Sequence, residues 1–317
     1  MTRVAILDDY QNVARRMADW GTLPAGTTVE VFPDHLASLD ALAARLAGFE
    51  VVMAMRERTP FPRALLERLP GLKLLITAGM RNASIDIQAA TDRGILVCGT
   101  GGLPYPTAEL TWALILALFR RVPTEDRQTR EGRWQVSLGL GLNGKTLGLL
   151  GLGTLGSRVA RVGRAFEMNV VAWSPNLTAE RAAEAGATLV PKDELLKQAD
   201  VVSIHLVLGE RSRGLIGARE LGLMKPGAYL VNTSRGPIVD EVALVRALRE
   251  GKIAGAGLDV FDEEPLALDH PLRHLPNTVI TPHLGYVTEE TYRIFYGQAL
   301  EDILAYLRGQ PVRVLKP

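Results

Sequence analysis

The chain has 317 residues, 47% hydrophobic and 22% charged, a balance that excludes a disordered polypeptide and a length that suffices for two domains of ordinary size. Lysine and arginine number 36 against 35 acidic residues, so the net charge of +1 gives no electrostatic support for binding nucleic acid or an anionic membrane. Cys98 is the only cysteine, which excludes an intrachain disulfide and a thiolate metal cluster and is typical of a reducing cytoplasm, where we expect the protein.

The first hundred residues alternate short apolar runs with amphipathic stretches. Helix starts are marked by Ser38, a residue type that caps helices, and by Pro62, which suits a first helical turn. Repeated strand–helix units predict a doubly wound parallel sheet with a ligand crevice at the carboxyl ends of its strands, where Arg56 and 79–81 fall. Met1 leads directly into the first strand, so we expect no secretion signal. The predicted strands are 3–7, 28–32, 51–54, 72–77 and 94–97.

A glycine- and proline-rich segment over 99–106 interrupts this alternation and is typical of a crossing between domains. It leads into an apolar helix predicted over 107–121, whose apolar part is too short to span a bilayer, so no membrane association is expected. A final helix over 288–307 is expected to return to the first domain. Between these helices a second doubly wound sheet is predicted, with strands at 146–150, 169–173, 201–204, 228–231, 255–259 and 278–280.

The strand predicted at 146–150 runs into the pattern G-x-G-x-x-G at Gly151, Gly153 and Gly156. Such glycines permit a tight turn, let the backbone approach a pyrophosphate, and let the next helix pack closely on the strand. The helix predicted over 154–166 then directs its positive N-terminus at that phosphate. The strand before and the helix after the turn favour a dinucleotide site over a purely structural turn.

An overlapping pattern over 139–146 reads G-L-G-L-N-G-K-T and matches the phosphate loop of nucleoside triphosphatases. That loop requires a strand before it and a helix that begins at its Lys-Thr pair. Here Lys145 and Thr146 open a strand instead, so their amides are expected to be committed to the sheet. We therefore reject the triphosphatase interpretation.

Three polar residues follow strands of the second predicted sheet. Arg235, Glu264 and His283 each stand just beyond a strand, within N-T-S-R-G, D-E-E-P and T-P-H-L-G. In a doubly wound sheet such loops open on the crevice that holds the dinucleotide. Each residue alone fits an ordinary loop, but the occurrence of all three at strand ends favours a catalytic set.

The sequence resembles the D-isomer-specific 2-hydroxyacid dehydrogenases, a family that includes glyoxylate/hydroxypyruvate reductases and phosphoglycerate dehydrogenase. The resemblance covers nearly the whole chain. It implies two doubly wound α/β domains: a flavodoxin-like substrate-binding domain from 1–100 and 290–317, and an inserted Rossmann NAD(P)-binding domain over 101–289, through which a homodimer forms. The matching stretches are 84–86, 144–146 leading into 151–156, 232–240, 259–265 and 281–285.

The same resemblance assigns Arg235 to the substrate carboxylate and carbonyl, His283 to proton transfer and Glu264 to pairing with that histidine. Reduction of a 2-oxo acid needs a hydride at C2 and a proton on its oxygen, and an imidazolium holds such a proton near neutrality. An arginine offers a planar fork for the carboxylate, and the nicotinamide supplies the hydride. No metal is implied. Positions that match the family's cofactor contacts are Thr107, Gly151, Gly153, Thr154, Leu155, Gly156, Ser174, His205, Thr233, Ser234 and Asp259, and positions that match its substrate contacts are Arg56, Met80 and Arg81.

Several loops depart from the family pattern. Met80 and Arg81 stand where backbone amides usually hold the substrate carboxylate, and a large cation there argues against the usual small 2-oxo acid. After His205, Val207 and Gly209 replace the more usual proline and threonine, so contacts on the nicotinamide side are expected to differ in detail. The remaining histidines match no catalytic position and are expected to be solvated loop residues: His35, His270 and His274.

The choice between the two nicotinamide cofactors depends on the end of the strand at 169–173. An NAD-specific site has an acid about 20 residues beyond the first glycines, whereas Ser174 follows this strand. Ser174, Asn176 and Thr178 offer hydrogen bonds to a 2′-phosphate, but no arginine follows directly, and Arg181 lies further on in the next helix. We therefore expect use of both NAD(H) and NADP(H), with a modest lean to NADP(H).

A competing interpretation is a catalytically weak, nucleotide-sensing binding protein on the same scaffold. The full set of arginine, glutamate and histidine favours an enzyme. We also expect no long extension after Pro317 and no basic face that would serve a regulator. A small-molecule 2-oxo or 2-hydroxy acid is thus the expected partner, with no nucleic acid.

Overall fold

The chain divides into two units, each built around its own parallel sheet. The computed structural model describes residues 1–317. The first unit comprises 1–103 together with 288–317, and the second comprises 104–287. No helix of the chain combines the length and the apolar character that crossing a membrane requires.

Five strands form the sheet of the first unit in the order β2-β1-β3-β4-β5, with every neighbouring pair parallel. This is the flavodoxin-like doubly wound order. Strands β3 and β4 are buried along their whole length, because helices cover both faces of such a sheet and favour continuous apolar runs. The strands are β1 (Arg3–Ile6), β2 (Thr28–Val31), β3 (Val51–Ala54), β4 (Leu74–Thr77) and β5 (Leu96–Gly99). The helices between them are α1 (Ala14–Met17), α2 (Leu39–Leu46), α3 (Arg63–Leu66) and α4 (Ile87–Asp92).

Seven parallel strands form the sheet of the second unit in the order β12-β11-β10-β9-β6-β7-β8. This is the Rossmann order extended by one strand, so the predicted fold class is confirmed for both sheets. The strands are β6 (Thr146–Leu150), β7 (Asn169–Trp173), β8 (Thr188–Leu189), β9 (Val201–Ile204), β10 (Tyr229–Asn232), β11 (Gly255–Leu258) and β12 (Thr278–Ile280). The helices are α5 (Pro106–Arg120), α6 (Val122–Arg130), α7 (Thr154–Ala165), α8 (Ala179–Glu184), α9 (Lys192–Gln198), α10 (Ala218–Leu223) and α11 (Glu241–Arg249).

The overlapping phosphate-loop pattern does not form a phosphate loop. Thr146 begins strand β6, as predicted, and no helix follows it. The amides are engaged, although not in the sheet ladder that the sequence suggested: Lys145 N donates to Leu142 O at 3.0 Å, and Thr146 N donates to the Asp200 carboxylate at 2.7 Å. These amides are therefore committed within the protein.

The last helix, α12 (Glu289–Leu307), belongs to the first unit, and a C-terminal segment follows it along strand β5. Gly99 N donates to Arg313 O at 3.0 Å and Leu315 N donates to Val97 O at 2.8 Å. Arg313 Nε in turn donates to the buried Asp302 of α12 at 3.0 Å, and burial raises the pKa of Asp302 to about 7. The free edge of β5 is thus covered by residues from the other end of the chain.

Two of the three histidines expected to be solvated are paired instead. His35 Nδ1 lies 2.9 Å from an oxygen of the buried Asp8, and only 13% of its side chain is exposed. His270 Nε2 lies 3.0 Å from Glu241 Oε1. The expectation was wrong because each carboxylate approaches only in the folded chain. His274 is exposed, as predicted.

Candidate active site

The glycine turn between β6 and α7 needs two of its glycines for steric reasons. Gly151 has a φ of +98°, and a Cβ there would lie 2.5 Å from the carbonyl oxygen of His205. A Cβ on Gly156 would lie 2.2 Å from the carbonyl oxygen of Gly151, so helix α7 packs directly against the turn. The turn is held to the end of β7, because Gly151 N donates to Trp173 O at 2.8 Å.

The outer face of the same turn is open. A Cβ on Gly153 would meet nothing within 4 Å, and Gly153 caps α7 without any side-chain hydrogen bond. The first amides of α7, from Thr154 and Leu155 onward, therefore lack a capping acceptor, and the helix dipole adds partial positive charge there. This arrangement fits a pyrophosphate, which supplies the missing acceptors and the negative charge.

His205 lies behind the turn. Its backbone amide donates to Leu150 O at 2.7 Å and extends the sheet, while Nε2 lies 2.9 Å from Ser203 Oγ. Nδ1 is buried without a hydrogen-bond partner. Burial lowers the pKa of His205 to about 4, so the ring is neutral at neutral pH. Its carbonyl oxygen lies against Gly151, and its Cβ lies near Gly156, so both glycines of the turn pack against His205.

Beyond β7, Ser174 borders a cavity of about 580 Å³. The cavity is mainly apolar on the side formed by the loop after β9, with Leu206, Val207 and Leu208, and Arg211 lies at its border. Asn176 also lines it, and no acidic residue follows β7 directly. The carboxylate that marks a strictly NAD-binding ribose site is therefore lacking at this position.

The loop after β10 presents Arg235. The buried Asn232 shapes it: its Oδ1 accepts Ser234 N at 3.0 Å and its Nδ2 donates to Arg235 O at 2.9 Å. Ser234 Oγ donates to Ile204 O at 2.9 Å, and Thr233 Oγ1 lies 2.8 Å from Thr111 Oγ1. Sequence reasoning did not single out Asn232, although a polar residue at the buried end of a strand is a usable signal.

The loops after β11 and β12 bring Glu264 and His283 together. Glu264 Oε2 lies 2.6 Å from His283 Nδ1, and Glu264 Oε1 accepts Phe261 N at 2.9 Å. The His283 ring also contacts Tyr286, with ring centroids 5.4 Å apart. One carboxylate thus holds the imidazole and is itself anchored to the backbone of its own loop.

Asp259 fixes the backbone around His283. Its fully buried carboxylate accepts Thr281 Oγ1 at 2.6 Å, Leu284 N at 2.7 Å and Gly285 N at 2.8 Å. Burial raises the pKa of Asp259, and these three donors oppose the rise. His283 has a φ of +55°, a left-handed conformation that is unfavourable for a residue with a side chain, and the two amides bound to Asp259 directly follow it.

Two further contacts join these loops. Thr107 Oγ1 donates to Gly285 O at 2.9 Å, which ties the His283 loop to the start of α5. Gly236, next to Arg235, lies against the backbone of Phe261, where a Cβ would be 2.0 Å from the carbonyl carbon. Because Phe261 N is bound by Glu264, close packing at Gly236 connects the arginine loop to the histidine–glutamate pair.

Arg56, Met80 and Arg81 belong to the first unit, in loops that follow β3 and β4. Arg56 has a φ of +53°, and its NH1 donates to Ala78 O at 3.2 Å. Its guanidinium lies over Gly79, which has a φ of +96°, a conformation that favours glycine. Met80 is 46% exposed, and Arg81 is exposed as well.

A Rossmann sheet whose glycine turn is open to a pyrophosphate defines a dinucleotide-binding protein, and the histidine–glutamate pair in the loops after β11 and β12 of the same sheet points to an oxidoreductase. Residues 112–285 match the family model described as the NAD binding domain of D-isomer specific 2-hydroxyacid dehydrogenase. The chain belongs to this family and is an enzyme of that class, an oxidoreductase that uses a nicotinamide cofactor.

The chain is similar to several known members. It is 45% identical over 256 residues to the glyoxylate reductase of Aeropyrum pernix, which covers 78% of this chain and 76% of that protein. It is 40% identical over 280 residues to the D-3-phosphoglycerate dehydrogenase of Archaeoglobus fulgidus. These residues make up 87% of this chain but only 53% of that protein. The crystal structure of a phosphoglycerate oxidoreductase from Vibrio cholerae matches with a TM-score of 0.92 and 37% identity, over 98% of this chain and 100% of that one.

Proposed function

We propose that the protein reduces 2-oxo acids to D-2-hydroxy acids with NAD(P)H and catalyses the reverse oxidation. The observation that carries the proposal is the 2.6 Å contact between His283 Nδ1 and Glu264 Oε2. Because the carboxylate occupies Nδ1, Nε2 is the ring nitrogen left to meet a substrate. Such a pair is suited to hold and move one proton.

The proton transfer follows from this geometry. Glu264 accepts the Nδ1 proton and orients the ring. In the reductive direction His283 donates the Nε2 proton to the carbonyl oxygen and becomes a neutral imidazole, and oxidation reverses this step. The bound nicotinamide supplies the hydride to C2 in reduction and accepts it in oxidation.

Arg235 is proposed to hold the substrate carboxylate. Its planar guanidinium matches a carboxylate with two parallel hydrogen bonds, and its charge stabilises the oxygen that becomes an alkoxide. The loop that carries it is braced by Asn232 and by the close packing of Gly236 on Phe261. Its position is therefore set independently of the substrate.

The cofactor is proposed to lie along the glycine turn of the second unit. Gly153, Thr154 and Leu155 offer free amides to the pyrophosphate, and Ser174 meets the adenosine ribose. His205, Asp259 and Thr107 contribute by bracing the loops, since their polar atoms are engaged within the protein or buried. Thr233 and Ser234 stand in the braced loop after β10 and are proposed to border the nicotinamide. Because no acid follows β7, we propose use of both cofactors with a modest preference for NADPH.

The first unit is proposed to bind the substrate through Arg56, Met80 and Arg81, and the second to bind the nucleotide. The relative from Aeropyrum pernix is named a glyoxylate reductase, so glyoxylate and hydroxypyruvate are the first candidates to test, although the large cation at Arg81 argues against such small acids. The exposed Arg81 adds 2-oxo acids with a second anionic group, such as a phosphorylated one, to the candidates. A cytoplasmic location stays a prediction.

A homodimer formed by the second unit is also proposed. Between α6 and β6 the chain exposes large apolar side chains, with Trp134 78% and Leu138 91% exposed. Such side chains on one segment mark a protein contact more often than a solvated surface. Light scattering after gel filtration tests this: the mass should correspond to two chains and should halve in the double variant Trp134→Glu, Leu138→Glu.

The activity is tested by following NADH and NADPH oxidation with a panel of 2-oxo acids. His283→Gln should lower kcat by about two to four orders of magnitude, the usual contribution of a positioned general acid. Cofactor affinity should be unchanged. The matched control is His274→Gln, since His274 is an exposed histidine of the same unit.

Two results would contradict the proposal. Full activity of His283→Gln would remove the histidine from the reaction. A wild-type protein that binds both cofactors tightly but reduces no 2-oxo acid would favour the nucleotide-sensing alternative.

A further inference from the structure

Helix α7, which begins at the glycine turn, carries an unusual concentration of positive charge. Within Thr154–Ala165 it has Arg158, Arg161 and Arg164 and no acidic residue. Residues three apart lie on the same helix face, where like charges repel. Arg164 lies in the last turn, where the helix dipole favours a positive charge, but Arg158 and Arg161 have no such compensation. The stripe is therefore unfavourable unless something else compensates its charge.

The protein itself provides no compensation. The guanidinium groups of these three arginines form no ion pair and no hydrogen bond with protein atoms. In other helices exposed arginines do pair one turn away, as Arg130 does with Asp126 and Arg246 with Glu250. Arg127 of α6 and Arg249 of α11 are unpaired as well, but α7 differs from both helices in carrying three unpaired arginines and no acidic residue.

A cleft of about 500 Å³ lies between α7 and α8 and is lined by two of these arginines, Arg161 and Arg164, together with Arg181. Arg181 stands in the first turn of α8, where Thr178 Oγ1 accepts its backbone amide at 3.3 Å, and its guanidinium is likewise unpaired. Glu184 is the single acid in the lining, so the cleft is positive overall. The rest of the lining includes Gly153, Thr154 and Ser157.

The position of the cleft relates it to the dinucleotide. Gly153 and Thr154 border the cleft and also form the open face of the glycine turn. The end of β7, where the adenosine ribose is proposed to lie, adjoins the same turn through the Gly151–Trp173 hydrogen bond. We therefore expect a phosphate on that ribose to lie between the turn and the start of α8, both of which border the cleft.

We propose that this arginine cleft binds the 2′-phosphate of NADP(H) and that Arg181 is its principal contact. The inference rests on the proposed function and deepens it, because it names the residues that select the cofactor. A phosphate monoester carries close to two negative charges and three acceptor oxygens, which guanidinium groups match in geometry and sign. Occupancy by the phosphate supplies the negative charge that α7 lacks.

Arg211 is the other arginine near the ribose, and the structure gives it a different role. Its cavity is lined mainly by apolar side chains, including Leu206, Val207 and Leu208. An apolar slot suits a flat base better than a dianion, which needs several polar partners. We therefore assign the Arg211 cavity to the adenine and the arginine cleft to the phosphate.

The test measures dissociation constants of NADPH and NADH by the quenching of tryptophan fluorescence, without any 2-oxo acid present. Arg181→Gln should raise the NADPH dissociation constant by about ten- to hundredfold, the range expected for one lost charge-assisted contact, and should leave that of NADH unchanged. Arg161→Gln is a second variant with the same direction and a smaller effect. The matched control is Arg93→Gln, an exposed arginine of the first unit that forms no ion pair.

The outcomes separate this inference from the proposed function. If Arg181→Gln selectively loses NADPH, the cleft assignment stands even in a protein that reduces no 2-oxo acid. It is overturned if both variants weaken the two cofactors equally, if neither variant changes NADPH binding, or if Arg211→Gln alone abolishes the preference. A wild-type protein that binds NADH far more tightly than NADPH also overturns it, whatever its reductase activity.

Discussion

Replacing Asp259 by asparagine tests how the site is built. The carboxylate accepts three hydrogen bonds of 2.6 to 2.8 Å, from Thr281 Oγ1, Leu284 N and Gly285 N. An asparagine of the same shape keeps one acceptor oxygen and directs its NH₂ group at one of the donors. A lost bond to a charged acceptor is worth about 1.5–3 kcal/mol, and the buried donor left unpaired adds about 1–3 kcal/mol. Relief of the buried charge offsets part of this, so we expect Asp259→Asn to lower the free energy of unfolding by about 2–4 kcal/mol.

The same substitution should slow the reaction. His283 holds a φ of +55°, a conformation that is about 1–2 kcal/mol less favourable for a residue with a Cβ. The amides of Leu284 and Gly285, held by Asp259, keep the backbone there. Without them the imidazole moves from its place beside Glu264, and since a 1 Å displacement can cost about a hundredfold in rate, kcat should fall by about ten- to hundredfold.

Urea unfolding followed by circular dichroism and steady-state kinetics give both quantities. Thr281→Val is the matched control, because it removes one donor and leaves the two backbone amides bound, so it should cost about 1 kcal/mol and little kcat. An Asp259→Asn variant with unchanged unfolding midpoint and kcat would refute the reasoning. A variant that only binds cofactor more weakly would instead make Asp259 a direct cofactor contact.

Three more predictions follow from the same loops. Arg235→Lys should raise KM for the 2-oxo acid and lower kcat while cofactor affinity stays the same, because an ammonium cannot form two parallel hydrogen bonds with a carboxylate. If only cofactor binding were weakened, Arg235 would belong to the nucleotide site instead. Gly236→Ala should cost about 1–3 kcal/mol in thermal unfolding and lower kcat, because its Cβ would lie 2.0 Å from the Phe261 carbonyl carbon. Gly222→Ala, whose Cβ would meet nothing within 4 Å, is the control, and equal effects of the two substitutions would contradict the argument. Burial lowers the pKa of His205 from 6.5 to about 4. Between these two pH values the histidine is protonated in the unfolded state and neutral in the folded state. Protonation of His205 therefore does not affect the free energy of unfolding above pH 6.5. As the pH falls from 6.5 towards 4, it lowers the free energy of unfolding by up to about 3 kcal/mol. His205→Gln should flatten this slope in urea titrations at successive pH values, and an identical slope would show that the ring is not shielded.

The sequence predicted the two sheets well, and the physical reason is burial. Strands covered on both faces appear as uninterrupted apolar runs, so β3 and β4 were found directly. The glycine turn was also predictable from the sequence, because Gly151 and Gly156 have no room for a side chain. Strand β8, with two residues, is too short to produce a pattern.

The polar contacts were less predictable, because they join residues far apart in the chain. His35 and Asp8 are separated by 27 positions, as His270 and Glu241 are by 29, and nothing local signals either pair. Asp259 was predicted as a cofactor contact, and this stays a prediction; its hydrogen bonds to residues 22 to 26 positions away were not predicted. Residue type and position at a strand end indicate that a side chain is important, whereas its partner depends on how the loops pack.

The first unit is assembled from two distant parts of the chain, and this affects the order in which the protein is made. Residues 104–287 form the second unit without interruption, whereas the first unit lacks α12 and the segment along β5 until 288–317 have been synthesised. At about 5–20 residues per second, the roughly 180 intervening residues delay its completion by about 10–40 s. Throughout that interval strand β5 keeps an uncovered edge, the kind of surface on which chains join to one another. The nascent protein is therefore most exposed to misassembly while its nucleotide-binding half is already folding.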